Sequence, residues 1–194
     1  MRISIPKWYA PFDKGWKLCM YQKDDEVSKK ILRLKEGDAT AIKTFTKWSI
    51  AELEKDELML ELNYCIRSLG RNELTADPNK PLGKLAAGIC GSIGIEYVPD
   101  LIAKRRATKH LIGMNKPARE AELDGVFYLN SKLKLNGKSI LIVDDIKTSG
   151  TTTTFIRNTI LTEHPKAKFY LFVLGENGDG NPKELIDTYN QYNK

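Results

Sequence analysis

Apolar and polar positions alternate along this chain with two periods, and the switches between them outline the elements. Glu26–Leu34 places Val27, Ile31 and Leu34 on one side at helical spacing, and Ala39–Leu53 repeats the pattern with Ile42, Phe45, Trp48 or Ile50, and Leu53. Lys35-Glu36-Gly37-Asp38 separates the two as a turn, with Asp38 in position to cap the second helix. Leu58–Ile66 alternates in part and predicts a first core strand, followed by a small-residue helix over Pro81–Ile93 and a short strand over Gly94–Pro99. Gly125–Leu129 predicts a further strand, Asn136-Gly137 a tight turn, and Lys168–Leu174 a buried strand. The clearest signal is Ser139–Val143, a continuous apolar run that fits a strand covered on both faces of a parallel sheet. A helix over Thr154–Leu161 follows it, and Asn181-Pro182-Lys183-Glu184 predicts the start of a terminal helix through Tyr192. Residues 1–24 are aromatic-rich and irregular, with Trp8, Tyr9, Phe12, Trp16 and Tyr21. Strands alternating with helices predict an α/β fold, an open and mostly parallel sheet flanked by helices. Residues 1–57 read as a helical and aromatic appendage and 58–194 as the core.

Composition narrows the class. The chain has 194 residues, 41% hydrophobic and 29% charged, with a formal net charge of +6. That length can bury a core without metal or disulfides. Cys19, Cys65, Cys90, His110 and His164 are scattered without zinc-ligand spacing, so neither a structural metal site nor a disulfide framework is expected. No apolar run approaches the roughly 20 residues of a membrane span, and MRISIPKWYAPF lacks the apolar stretch of a signal peptide. A cytoplasmic location without membrane contact is expected. The lysines are spread along the chain, which makes a dedicated nucleic-acid surface the lesser reading of the positive charge.

Candidate chemistry sits at the end of the motif strand, where Ile140-Leu141-Ile142-Val143 runs into Asp144-Asp145 and then into the hydroxyl-rich turn Thr148-Ser149-Gly150-Thr151-Thr152. Parallel sheets place ligands at the carboxyl edge of their strands. Carboxylates there can accept hydrogen bonds from a sugar diol, while the turn offers N–H groups, hydroxyls and a helix N-terminus to a phosphate. A diol beside a phosphate describes a 5-phosphoribosyl group. A receiver domain also pairs aspartates at a strand end, but only about 50 residues follow Asp145, against the roughly 100 to 150 that a domain needs. The Gly-x4-Gly-Lys-Ser/Thr phosphate loop is absent. Arg67-Ser68-Leu69-Gly70-Arg71, two arginines around a turn after the first core strand, can bind a second anion. Ala103–Leu123 is basic and poorly periodic, a candidate lid.

The order apolar strand, Asp-Asp, two residues, Thr-Ser-Gly-x-Thr resembles the phosphoribosyl-pyrophosphate (PRPP) motif of type I phosphoribosyltransferases. The resemblance implies a type I phosphoribosyltransferase-like sheet and a pentosyl transferase of nucleotide metabolism acting on PRPP and an unknown nitrogenous acceptor. It assigns Asp144 and Asp145 to the ribose hydroxyls and to charge stabilisation during catalysis. Lys147, Thr148, Ser149, Gly150, Thr151 and Thr152 would wrap the 5-phosphate, and Arg67, Ser68, Leu69 and Gly70 the pyrophosphate. Lys104, Arg105, Lys109 and Arg119 would belong to a mobile loop that closes over the pyrophosphate. Mg²⁺ would enter mainly through PRPP, with no metal site of the protein's own, and a homodimer is implied. ILRLKEGDATAIKTFTKWSIAEL, KLAAGICGSIGIEYVPDLIAKRR and KPAREAELDGVFYL are similar in layout to the competence-associated ComF family. This chain lacks that family's N-terminal zinc module, and Arg71-Asn72-Glu73 is a partial counterpart of its Arg-Gly-Phe-Asn-Gln signature. That likeness supports an alternative, a non-catalytic PRPP- or nucleotide-binding protein with a nucleic-acid-handling partner, in DNA uptake or in defence.

Overall fold

The structure, a computed structural model, describes residues 9–22, 24–111 and 114–177. Its element order is β1 (Lys14–Tyr21), α1 (Glu26–Glu36), α2 (Ala39–Leu53), a 3₁₀ turn (Glu57–Glu61), β2 (Tyr64–Arg67), α3 (Pro81–Ile93), β3 (Glu96–Tyr97) and β4 (Ile102–Lys104). Then follow α4 (Lys116–Leu123), β5 (Phe127–Leu129), β6 (Ser139–Lys147), α5 (Thr151–Glu163) and β7 (Lys168–Asn177). Five strands pair in the order β1-β7-β6-β2-β3, every neighbour parallel. The α/β architecture expected from the sequence is therefore present, with helices on both faces.

Strand alternation separates two layers of core. Leu141 and Val143 of β6 pack with Tyr170 and Phe172 of β7 beneath α1, α2 and α3, through Ile31, Leu34, Phe45, Trp48, Leu85 and Ile89. Ile140 and Ile142 face the other way, with Phe169, Leu171 and Val173, under Ile156 and Ile160 of α5. β6 lies between β2 and β7, so both edges of its backbone are paired: Ile142 registers with Ile66 on one side and with Leu171 on the other. The helix ends follow the sequence signals. Asp25 accepts from Val27 N and Ser28 N at 2.9 Å each, Asp38 accepts from Ala41 N at 2.9 Å, and Pro81 opens α3.

Four expectations need correction. Residues 14–21 form β1, an edge strand of the main sheet rather than irregular chain, because Trp16, Leu18 and Met20 alternate onto the α1–α2 layer. β1, α1 and α2 all contribute to that layer. Leu58–Leu62 is not strand: Asp56 caps a 3₁₀ turn through Leu58 N at 3.1 Å and also binds Lys14 and Trp16, and β2 begins only at Tyr64. The strand ending at Leu129 leaves the main sheet and pairs antiparallel with β4. β6 also runs on to Lys147, so the two acids lie within a strand and not after it. The expected terminal helix from Asn181, and Trp8, fall outside the described residues. Among the described residues no helix is long and apolar enough to cross a membrane.

Candidate active site at the carboxyl edge of the sheet

Because Asp144 and Asp145 are consecutive in a strand, alternation sends them to opposite faces. Asp144 shares the face of Ile140 and Ile142, and its Oδ1 accepts from Ser68 Oγ at 2.5 Å and from Asp145 N at 2.9 Å. Ser68 is itself placed by its N–H bond to Val143 O at 2.9 Å, which carries the β2–β6 ladder one residue into the loop. Burial, followed by the charge of Asp145, pushes the Asp144 carboxyl up to about 7, against the bonds that favour its ionised form. Asp145 points instead towards the end of α1, where Lys35 Nζ lies 3.0 Å from its Oδ2. The two acids expected to share one ligand thus stand in two environments, on opposite faces of the sheet.

The hydroxyl turn follows. Gly150 takes a left-handed conformation (φ 70°) and α5 opens there without a side-chain cap, which leaves its first N–H groups for water or a ligand. Ser149 Oγ and Thr151 Oγ1 are 2.7 Å apart, and Thr153 Oγ1 donates back to Gly150 O at 3.1 Å. Lys147, expected to wrap a phosphate, lies instead in the last position of β6 with Nζ 3.7 Å from Glu176 Oε1 of β7. Arg119 of α4 does reach the turn, with Nη1 donating to Ser149 Oγ at 2.7 Å and Nε to Leu111 O at 3.2 Å.

Arg67 requires the largest correction. It is 3% exposed, and its guanidinium grips Glu73 by two bonds, of 2.9 and 2.6 Å, and also donates to Ser68 O and Asp77 O. Although burial alone would raise the Glu73 carboxyl, bonds from Arg67 and from Gly70 N hold it at about 2. Arg67 is therefore consumed in shaping the loop 68–73 and is not presented to an anion. The exposed basic group of that loop is Arg71, which lines the pocket described below. The sequence carried a faint signal for this, since Glu73 follows Arg67 within one turn's reach, but nothing in the pattern said the pair would be buried.

The basic segment 103–123 is also more structured than expected. Lys104 is 4% exposed in β4 and ties the neighbouring loop down by donating to Gly70 O at 2.8 Å and Thr108 Oγ1 at 3.4 Å. Burial lowers its ammonium to about 8. Arg105 stacks on Tyr128 at 5.0 Å, and Arg106 pairs with Glu122 at 2.7 Å. Lys109, with Arg71, Lys104 and His110, lines a pocket of about 280 Å³ whose walls also include Leu69 and Thr152. Thr152 joins this pocket to the hydroxyl turn. The arrangement can hold two anionic groups, one at the α5 N-terminus and one among the cations, with Asp144 carried on the same face of the sheet. Among the described residues no cluster of three or more acids, histidines or cysteines could hold a metal alone.

No protein-family model and no curated protein matches the chain. Comparison with solved structures finds an adenine phosphoribosyltransferase at 15% identity, covering 77% of this chain and 74% of that one with a TM-score of 0.49. Similar values hold for the Saccharomyces cerevisiae adenine phosphoribosyltransferase complexed with an imino-altritol bisphosphate and adenine (15% identity, 73% and 72% covered, TM-score 0.45). A hypoxanthine-guanine phosphoribosyltransferase from Bacillus anthracis follows at 16% identity, 79% and 70% covered, and a TM-score of 0.41. These are likenesses of outline and assign no residue.

Proposed function

We propose that the chain binds a 5-phosphoribosyl ligand, PRPP in the first instance, at the carboxyl edge of β2 and β6 and transfers the ribosyl group to a nitrogenous acceptor. The observation that carries this reading is the bond between Ser68 and Asp144. It brings the anion loop after β2 against the motif strand, on the sheet face shared with the cationic pocket that reaches the uncapped start of α5. The 5-phosphate accepts from the N–H groups and hydroxyls of residues 148–152. The ribose hydroxyls donate to Asp144, whose Oδ2 takes no bond from the described residues. The pyrophosphate lies against the loop at Leu69 and Gly70, facing Arg71, Lys104 and Lys109. As the bond from C1 to pyrophosphate lengthens, Asp144 stabilises the positive ribose, and the cations stabilise the departing charge.

The residues fit a Mg²⁺ carried in by the ligand: one open carboxylate oxygen on Asp144 suits an ion that keeps its waters and phosphate oxygens. Bound there, the ion would neutralise pyrophosphate charge. Asp145, engaged by Lys35, supports an alternative in which the site binds the ligand without turning it over, as a sensor within a ComF-like, nucleic-acid-linked system. Calorimetry with PRPP and Mg²⁺, followed by pyrophosphate release over a panel of nucleobases and amines, separates the two. Saturable binding with release supports transfer, and binding without release supports sensing. Failure to bind PRPP, AMP, GMP and UMP alike would remove both.

A further inference from the structure

The cation that the cup's own sequence motif offers, Lys147, passes beside Gly150 but is already paired, with Nζ 3.7 Å from Glu176 Oε1. Gly150, Thr151 and Thr152 carry no charge. A phosphate monoester near neutral pH carries close to two negative charges, and a helix N-terminus offsets only about half of one. Arg119 lies outside the motif, thirty positions before Ser149, yet its Nη1 already donates to Ser149 Oγ in the middle of the turn. Its Nε is fixed by Leu111 O, so one edge of the guanidinium is anchored and the other is aimed at the cup. A planar fork held in this way suits phosphate oxygens better than a swinging ammonium does.

We propose that Arg119 of α4 supplies the positive charge of the phosphate cup, binding the 5-phosphate directly and exchanging its Ser149 bond for phosphate oxygens when the ligand enters. This rests on the functional reading above and deepens it, since it moves Arg119 from the pyrophosphate to the other end of the ligand. It also gives α4 a function: Leu111, which anchors Arg119, lines the neighbouring pocket, so the cup and the pocket share a wall.

The test uses the full chain with ribose 5-phosphate as probe and inorganic phosphate as a second probe of the cup alone. Arg119→Ala and Arg119→Gln, the latter keeping a donor for Leu111 O, are expected to weaken ribose 5-phosphate about 10- to 100-fold, the worth of one charged hydrogen bond. Arg119→Lys should recover part of the loss, which a purely structural role would not permit. Lys116→Ala removes the same unit of charge from a side chain of α4 that is 77% exposed and should leave affinity unchanged. If wild type binds the probe and both neutral variants bind within about twofold of it, Arg119 has no such role and the functional reading survives. An equal loss in Lys116→Ala would likewise overturn the assignment, as a general effect of charge. A wild type that binds neither PRPP nor ribose 5-phosphate fells the functional reading first and Arg119's role with it.

Discussion

Asp144→Asn should make this protein more stable above pH 7 while removing its ligand. The native carboxyl titrates near 7 against an ordinary 3.8, a difference of about three pH units. At about 1.36 kcal/mol per unit, full conversion gives an upper bound near 4 kcal/mol. Asp144 is half-buried, and its bonds from Ser68 and Asp145 N survive in asparagine, so about 1–2 kcal/mol is the realistic gain. The pH dependence has a definite sign. Below pH 4 both folded and unfolded carboxyls are protonated, and the substitution changes little. Between about 4 and 7 the unfolded chain ionises while the native group resists, so wild type loses stability relative to the variant, and above 7 the full difference is present. Urea denaturation at pH 3.5, 5.5 and 8, followed by the fluorescence of buried Trp16 and Trp48, measures it. A difference that is flat with pH, or a variant less stable at pH 8, would refute the account of Asp144 as a carboxyl held off its ordinary range.

Arg67→Ala takes the guanidinium from buried Glu73, leaving it the Gly70 N–H and Lys80, so it should cost about 2–4 kcal/mol in denaturation and weaken ribose 5-phosphate and pyrophosphate together; a stable variant that loses pyrophosphate alone would restore Arg67 as a ligand contact. Gly83→Ala sets a Cβ 2.6 Å from Asp77 O, backbone that also accepts from Arg67, and should lower stability by about 1–3 kcal/mol; an unchanged urea midpoint contradicts this. Gly150→Ala forces a side chain into φ 70° with its Cβ 3.0 Å from Lys147 Cε, costing about 1 kcal/mol or more and weakening ribose 5-phosphate, which calorimetry on the folded variant reads. Pyrophosphate affinity should fall as pH rises through about 8, where Lys104 loses its proton, and a profile flat from pH 7 to 9 would exclude Lys104 from that subsite.

The helices α1, α2 and α3 were legible almost to the residue, since the capping Asp38, Pro81 and the 3.6-residue spacing all agree. So was the motif strand, whose apolar run has no competing period. β1 was missed because aromatic and lysine residues obscure its alternation, and its burial depends on α1 and α2, a tertiary fact. At the site, the residues 144–152 were readable as a group, but their directions were not. That Asp145 turns towards Lys35 follows from β6 continuing past Val143, which depends on pairing with β7 over Asp144 to Lys147. Charge misled most. Arg67, Lys104 and Lys147 look alike as free cations in a sequence, and only packing shows Arg67 and Lys147 bound to carboxylates while Lys104 both braces Gly70 O and lines the pocket.

The Arg67–Glu73 clasp, with Lys104 braced on the carbonyl of Gly70, sets the loop after β2 before any molecule arrives. A ligand docking on that side has little backbone entropy left to remove. Whatever discrimination this wall exerts is decided when the chain folds, and natural variation aimed at new substrates would have to accumulate on the opposite bank, around 105–111.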